Sequence, residues 1–124
     1  MSTKINFGRD VQGYNTFAPP PSTDKYSATL AAGGNSTITL PTNSPYWIVS
    51  FSYQPGADVW VAYNGSAAAP AGSTFASTTS ELLPGSRILP STVTTSSGTT
   101  ANTINLFNNG AGVADVGVIL YASP

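Results

Sequence analysis

The chain has 124 residues, the length of one domain, and 40% of them are apolar, enough for one hydrophobic core. It contains no cysteine and no histidine, which excludes disulfides, thiolate zinc sites, a thiol nucleophile and the Ser-His-Asp arrangement of hydrolases. Only 7% of its residues are charged, and four cations are too few to follow a phosphate backbone, so we expect no nucleic-acid partner. We expect no membrane partner either, because no apolar run reaches the roughly 18 residues of a membrane span.

The first 25 residues predict an extended N-terminal arm. Three consecutive prolines, Pro19 to Pro21, favour polyproline II near the end of this segment and exclude regular helix or strand. We therefore divide the chain into an arm at residues 1–25 and a β domain at residues 26–124. Two alternatives for the arm stay open: a frayed terminus, or an edge strand added to the sandwich of this subunit or of a neighbour. Its candidate binding residues are the aromatic and cationic side chains of kinds enriched at interface hot spots, Phe7, Arg9, Tyr14 and Phe17.

From Tyr26 onward, stretches of strand-forming residues alternate with turn signals. Strands are predicted at residues 26–30 and 36–40, separated by a glycine turn. The strongest strand pattern covers residues 45–53. The Pro55-Gly56 turn that follows predicts a hairpin with the next strand, at residues 58–63.

The second half of the chain continues the same pattern. Residues 66–80 predict a loop or a weak strand around Phe75. Ser80 followed by Glu81-Leu82-Leu83 and ended by Pro84-Gly85 predicts one helical turn. Residues 91–100 predict a loop with an edge strand, and further strands are predicted at residues 87–89, 103–107 and 115–121. Strands at this spacing, without helical periodicity, indicate an all-β fold with a single antiparallel β-sandwich, jelly-roll-like.

The two tryptophans are predicted to have different environments. Alternation places Trp47 on the same strand face as Val49 and Phe51, which is typical of a core position. Trp60 lies on the opposite face from its two valine neighbours. Packing is the simpler role for both tryptophans, and Trp60 is the possible exposed aromatic of a sugar-stacking surface.

Catalytic and metal sites have few candidate residues. Asp58 and Asp115 both begin strands and form a formally possible glycosidase pair, although turn capping is the simpler role for each. A Ser-Lys dyad is disfavoured because both lysines lie in the arm. The nearest approach to a calcium site has one formal charge, in the set Asn105, Asn108, Asn109 and Asp115. We therefore expect no enzymatic activity, no metal and no cofactor.

The low charge also predicts self-association. Serine and threonine, sixteen of each, take over the solvent-facing role, and a net charge of −1 gives little repulsion between copies. We expect a homo-oligomer, most simply a homotrimer.

Six segments follow one another along the β domain: Thr37-Ile38-Thr39-Leu40-Pro41, Tyr46-Trp47-Ile48-Val49-Ser50-Phe51, Val59-Trp60-Val61-Ala62-Tyr63-Asn64, Pro70-Ala71-Gly72, Ser80-Glu81-Leu82-Leu83-Pro84-Gly85 and Gly117-Val118-Ile119-Leu120-Tyr121-Ala122. In this ordered run the chain resembles the β-sandwich proteins that decorate or cement the heads of tailed bacteriophages. The likeness covers roughly residues 26–122.

The resemblance implies a non-enzymatic virion structural protein that binds and stabilises the capsid shell. Such proteins are often trimeric and bind the major capsid protein from outside, and in some of them an N-terminal arm reaches over neighbouring subunits. The implied location is the virion, assembled in the host cytoplasm. Two alternatives stay open. The first is a receptor- or carbohydrate-binding module of a phage tail or fibre, favoured by an exposed aromatic platform. The second is a minor head–tail or tail component that uses the same sandwich as a structural adaptor.

Overall fold

The computed structural model describes residues 2–3, 21–73, 76 and 78–122. These residues contain ten β-strands and no helix. The strands are β1 (Asp24–Leu30), β2 (Asn35–Thr39), β3 (Tyr46–Tyr53), β4 (Val59–Tyr63), β5 (Glu81–Leu82), β6 (Ser86–Pro90), β7 (Thr92–Thr95), β8 (Gly98–Ala101), β9 (Thr103–Asn108) and β10 (Ala114–Ala122).

The strands form two four-stranded sheets and one short two-stranded sheet. The first sheet has the order β1-β10-β3-β6 and the second has the order β2-β9-β4-β5, while β7 pairs with β8. Every pairing is antiparallel. The predicted all-β class with antiparallel sheets is therefore confirmed.

A single hydrophobic cluster contains residues from both four-stranded sheets. Buried side chains alternate with outward-facing ones along the strands, as in β9, where Ile104 and Leu106 are fully buried. Trp47 is 0% exposed in this cluster, which confirms its predicted core position. The shared cluster shows that the sheets pack on each other through one apolar face each, in a sandwich-like arrangement.

The hairpin predicted between β3 and β4 is wrong. The turn itself forms, because the Ala57 N–H donates to the Gln54 carbonyl at 3.1 Å and Gly56 adopts a φ of 81°. However, β3 pairs with β10 in the first sheet, whereas β4 pairs with β9 in the second. Both strands bury their apolar faces in the same core from opposite sides, so the turn crosses between the sheets.

The helical turn predicted after Ser80 is also wrong. Glu81 and Leu82 form the short strand β5, in register with Val61 and Trp60 of β4. Leu83 has a φ of 47°, in the left-handed region, and donates its N–H to the Val59 carbonyl at 3.1 Å. Pairing with β4 therefore satisfies backbone groups that the predicted helical turn would have used.

Asn108 ties together the turns at one end of the domain. Its side chain is 1% exposed, and its Nδ2 donates to the carbonyls of Leu30 (3.0 Å), Ala31 (3.2 Å) and Gly112 (2.8 Å). Its Oδ1 accepts the N–H of Gly110 at 2.9 Å. This amide therefore belongs to the framework of the domain rather than to a metal site.

Residues 2–3 lie beside the end of β10. The Ala122 N–H donates to the Thr3 carbonyl at 2.7 Å, and the Thr23 N–H donates to the Thr3 hydroxyl at 3.0 Å. Asn43 donates to the Ser2 hydroxyl at 3.1 Å. The arm residues predicted to bind a partner, Phe7, Arg9, Tyr14 and Phe17, lie outside the described residues.

Candidate interaction surfaces

Large apolar side chains share the outer face of the first sheet. Tyr46 and Ile48 of β3 point away from the core, and Ile88 of β6 lies directly opposite Ile48 in register. Ile88 is 71% exposed and Tyr46 is 51% exposed. Ile119 of β10 lies on the same face, two positions before Tyr121, which pairs with Ile48. We call Tyr46, Ile48, Ile88 and Ile119 the isoleucine patch.

Strand β6, which carries Ile88, is an edge strand, and some of its outward backbone groups cannot pair with a further strand. In an antiparallel pair, every second residue of a strand directs its backbone N–H and C=O toward the partner strand. Ser91 directs its N–H to the Pro45 carbonyl (3.0 Å), so the backbone groups of Ser86, Ile88 and Pro90 point to the free edge. The Ser86 carbonyl accepts from the Arg87 guanidinium at 2.6 Å. Pro90 has no N–H, and its carbonyl accepts from the Asn102 side chain at 3.0 Å. These backbone groups of Ser86 and Pro90 are therefore not available for pairing with a further strand.

The second sheet carries an aromatic row on its outer face. Trp60 of β4 lies in register between Phe107 of β9 and Leu82 of β5. Trp60 and Phe107 are partly exposed and Leu82 is 51% exposed. We call Phe107, Trp60 and Leu82 the Trp60 row. The predicted outward orientation of Trp60, opposite to Val59 and Val61, is confirmed.

Hydrogen bonds hold the Trp60 ring and the polar groups beside it. The Trp60 Nε1–H donates to Asp58 Oδ1 at 3.1 Å, and Asn109 Nδ2 donates to Asp58 Oδ2 at 3.1 Å. In the next row of the same face, the Thr37 hydroxyl donates to Asn105 Oδ1 at 2.8 Å. The Asn105 amide nitrogen donates in turn to the Thr103 hydroxyl at 3.1 Å. This face therefore presents aromatic rings beside an ordered carboxylate, Asp58, and ordered amide and hydroxyl groups.

A polar cluster joins the two sheets at their β5 and β6 edges. Arg87 Nε lies 3.2 Å and 3.1 Å from the two Glu81 carboxylate oxygens, and the Tyr53 hydroxyl donates to the Pro84 carbonyl at 2.7 Å. Burial raises the pKa of the Tyr53 and Tyr63 hydroxyls. The buried Tyr63 hydroxyl lies beside Glu81, which raises its pKa further, without a hydrogen bond of regular geometry. Phenols with a raised pKa stay neutral near neutral pH and are poor acid–base catalysts there.

Replacing Glu81 by glutamine should remove a pH-dependent contribution to stability. The Arg87 guanidinium lowers the pKa of Glu81 in the folded state. The contribution is therefore fully present above the pKa that Glu81 has in the unfolded chain. It is lost as the pH falls through the lower pKa that Glu81 has in the folded protein. Because the two side chains are 41% and 37% exposed, solvent screening limits it to at most about 1 kcal/mol.

Urea unfolding near neutral pH and in acid would measure this contribution. The gap between wild type and Glu81→Gln should shrink on acidification, and Arg87→Gln should show the same behaviour because it removes the other partner. A gap of constant size at both pH values would contradict the assignment.

The other predicted chemical groups have separate hydrogen-bond partners. Asp58 is held by Trp60 and Asn109, whereas Asp115 accepts the Thr29 hydroxyl at 2.9 Å on the outer face of the first sheet. Asn105 lies on the outer face of the second sheet, far from Asp115 in the topology. Over the described ranges, no group of three or more His, Cys, Asp or Glu residues could hold a metal ion.

A shallow groove of about 480 Å³ crosses the outer face of the first sheet above Gly117. It exists because Gly117, without a side chain, lies in register between Ser27 and Ser52. Among its lining residues the carboxylate is Asp115, which already accepts a hydrogen bond from Thr29. The groove therefore offers hydroxyl groups but no free acid–base pair.

Comparison with protein-family models, curated proteins and solved structures found no match. Within the part of the chain that the structure describes, no helix is long and apolar enough to cross a membrane.

The sequence patterns pointed to Trp60 but not to the isoleucine patch. A usable signal was present, because the β3 segment is apolar on both faces, with Tyr46 and Ile48 alternating with Trp47 and Val49. A strand that is apolar on both faces in a two-layer fold has one face left for a partner.

Proposed function

We propose that this chain is a non-enzymatic virion structural protein that binds and stabilises a phage capsid shell as a decoration or cement protein. The observation that carries the proposal is the isoleucine patch. Ile88, 71% exposed, stands beside Ile48 on an outer sheet face, with Tyr46 51% exposed nearby. Contiguous exposed apolar side chains of this kind are typical of protein–protein contact sites.

The composition of the patch favours a protein surface as its partner. Its three isoleucines are aliphatic and carry no side-chain hydrogen-bonding group, so burial against another apolar surface is the interaction available to them. The whole chain has a net charge of −1, so little repulsion opposes close packing in a crowded lattice. A ligand that binds only the assembled shell stabilises the shell at each site it occupies.

The proposed fold is a jelly roll. The strand orders β1-β10-β3-β6 and β2-β9-β4-β5 support it, since successive strands repeatedly change sheets, as two Greek keys in a double sheet require. The crossing turn between β3 and β4 belongs to the same pattern.

The proposed partners are the major capsid protein and further copies of the chain, most simply in a trimer. The low charge supports self-association. In this proposal the patch contacts the shell, and the arm residues Phe7, Arg9, Tyr14 and Phe17 add anchors of the kind found at hot spots.

Replacing Ile88 by aspartate should weaken attachment to capsids at least about tenfold, or about 1.4 kcal/mol, because a charge would be buried against an apolar surface. Ile88 is 71% exposed in the free protein, so the fold should be unaffected. Co-sedimentation with capsids that lack the protein measures the effect. Thr37→Asp, on the exposed outer face of the second sheet, is the matched control and should bind like the wild type.

Two results would contradict this assignment of the patch. Ile88→Asp could co-sediment like the wild type, which would remove the patch from the attachment surface. Alternatively, light scattering could show that Ile88→Asp loses its oligomeric state while its monomer still attaches, which would make the patch a contact between copies.

A further inference from the structure

We propose that the Trp60 row is a binding site for neutral carbohydrate, on the opposite outer face of the domain from the isoleucine patch. The row consists of Phe107, Trp60 and Leu82 in register across three strands of the second sheet. This proposal does not depend on attachment to a capsid, because it concerns a different surface with different chemistry.

The Trp60 ring is held in place before any ligand arrives. Its Nε1–H donates at 3.1 Å to Asp58, two positions earlier in the chain and directly before β4, so the indole is directed toward the start of the strand. Asp58 is itself held, since Asn109 donates to its second carboxylate oxygen at 3.1 Å and the Asn109 N–H donates to its carbonyl at 2.8 Å. A ring fixed in this way loses little conformational entropy on binding.

The dimensions of the row suit a short run of sugar rings. Neighbouring strands lie about 4.8 Å apart, so side chains on three adjacent strands span roughly 10 Å. The negative face of an aromatic ring attracts the slightly positive C–H groups on the apolar face of a pyranose. Trp60 and Phe107 on neighbouring strands therefore provide adjacent stacking positions.

Apart from the Asp58 carboxylate, the polar groups beside the row are amides and hydroxyls. Asn105, in the next register row, is oriented by Thr37 (2.8 Å) and by Thr103 (3.1 Å). Each of its amide atoms retains further hydrogen-bonding capacity for a ligand hydroxyl. Asn35 lies opposite Phe107 at the other margin of the row. Hydroxyl and amide groups around aromatic rings match an uncharged polyol.

The contrast between the two outer faces favours carbohydrate over protein as the occupant of the Trp60 row. The isoleucine patch is mainly aliphatic, whereas the Trp60 row combines aromatic rings with ordered amides and hydroxyls. The carboxylate on this face, Asp58, accepts hydrogen bonds from the Trp60 indole and the Asn109 amide, which fix its position beside the ring.

The two tryptophans provide an internal control for a binding experiment. Trp47 is 0% exposed and donates its Nε1–H to the Pro41 carbonyl at 2.8 Å, whereas Trp60 is partly exposed. We expect the full-length protein, titrated with maltohexaose, cellohexaose, chitohexaose or yeast mannan, to show saturable binding to at least one of them. In a ¹H–¹⁵N spectrum the Trp60 indole signal should shift and the Trp47 indole signal should not.

Matched variants test whether the ring itself is responsible. Trp60→Phe keeps an aromatic face and should bind within about threefold of the wild type, whereas Trp60→Leu keeps an apolar side chain without a ring and should lose at least about tenfold. Asn105→Ala should also weaken binding. Ile88→Asp should bind the sugar like the wild type, which separates this site from capsid attachment.

The proposal is overturned if none of the four saccharides shifts the Trp60 indole signal of the wild-type protein in the millimolar range. Equal affinities for Trp60→Leu and the wild type would overturn it as well. If Trp60→Leu does not fold, the wild-type indole shift and the Asn105→Ala variant still decide the question.

Discussion

Replacing Trp47 by alanine should lower the free energy of unfolding by about 3–5 kcal/mol, the usual cost of emptying an aromatic site in a core. Trp47 is 0% exposed and belongs to the cluster shared by both sheets. Its Nε1–H also donates to the Pro41 carbonyl at 2.8 Å, so the substitution leaves that carbonyl without its partner. Urea unfolding followed by circular dichroism measures the loss.

Trp60→Ala is the matched control for this prediction. Trp60 lies on an outer face and is partly exposed, so its removal should cost only about 1–2 kcal/mol. If Trp47→Ala unfolds at the same urea concentration as the wild type, or Trp60→Ala proves the more damaging of the two, the orientation of β3 and β4 described above is incorrect.

Asn108→Leu should lower the free energy of unfolding by about 3 kcal/mol or more, although leucine has a similar volume and is more apolar. The Asn108 amide donates to three carbonyls and accepts the Gly110 N–H. A buried polar group left unpaired costs about 1–3 kcal/mol. The substitution removes the Asn108 hydrogen bonds to the Leu30 and Gly112 carbonyls and to the Gly110 N–H, whereas the Ala31 carbonyl keeps the Gly34 N–H at 2.8 Å. The same unfolding experiment measures it.

Asn109→Ala provides the control for Asn108. Asn109 is exposed and its side chain contacts Asp58 at the surface, so its loss should cost less than about 1 kcal/mol. Equal effects of the two substitutions would show that Asn108 does not hold the turns together.

Local alternation was sufficient to predict the all-β class and the core side of β3. A strand's two faces follow from residue order alone, so Trp47 and Trp60 were both assigned to the correct faces. The partner of a strand does not follow in the same way. The Pro55-Gly56 turn is local, whereas the pairing of β3 with β10 joins residues more than sixty positions apart, such as Tyr53 and Val116.

The two proposed interaction surfaces also differ in how far local sequence predicts them. Trp60 was predicted from alternation within one strand, but the isoleucine patch needs Ile48 and Ile88 to be neighbours, which only the sheet register supplies. The role of Asn108 was missed for the same reason, because one of its acceptors, Leu30, is 78 positions away in the chain. Ser80 to Gly85 failed as a helical turn because pairing with β4 overrides a local capping signal.

Photo-crosslinking from defined positions tests whether the isoleucine patch is the surface that attaches to a capsid. A photoreactive phenylalanine analogue replaces Ile88 in one variant and Thr37 in a second, and each full-length protein is bound to capsids of the proposed phage before irradiation. We expect a crosslink to the major capsid protein from position 88 and none from position 37. Crosslinks from position 37 alone, or from neither position on capsids that carry the bound protein, would contradict attachment through the isoleucine patch.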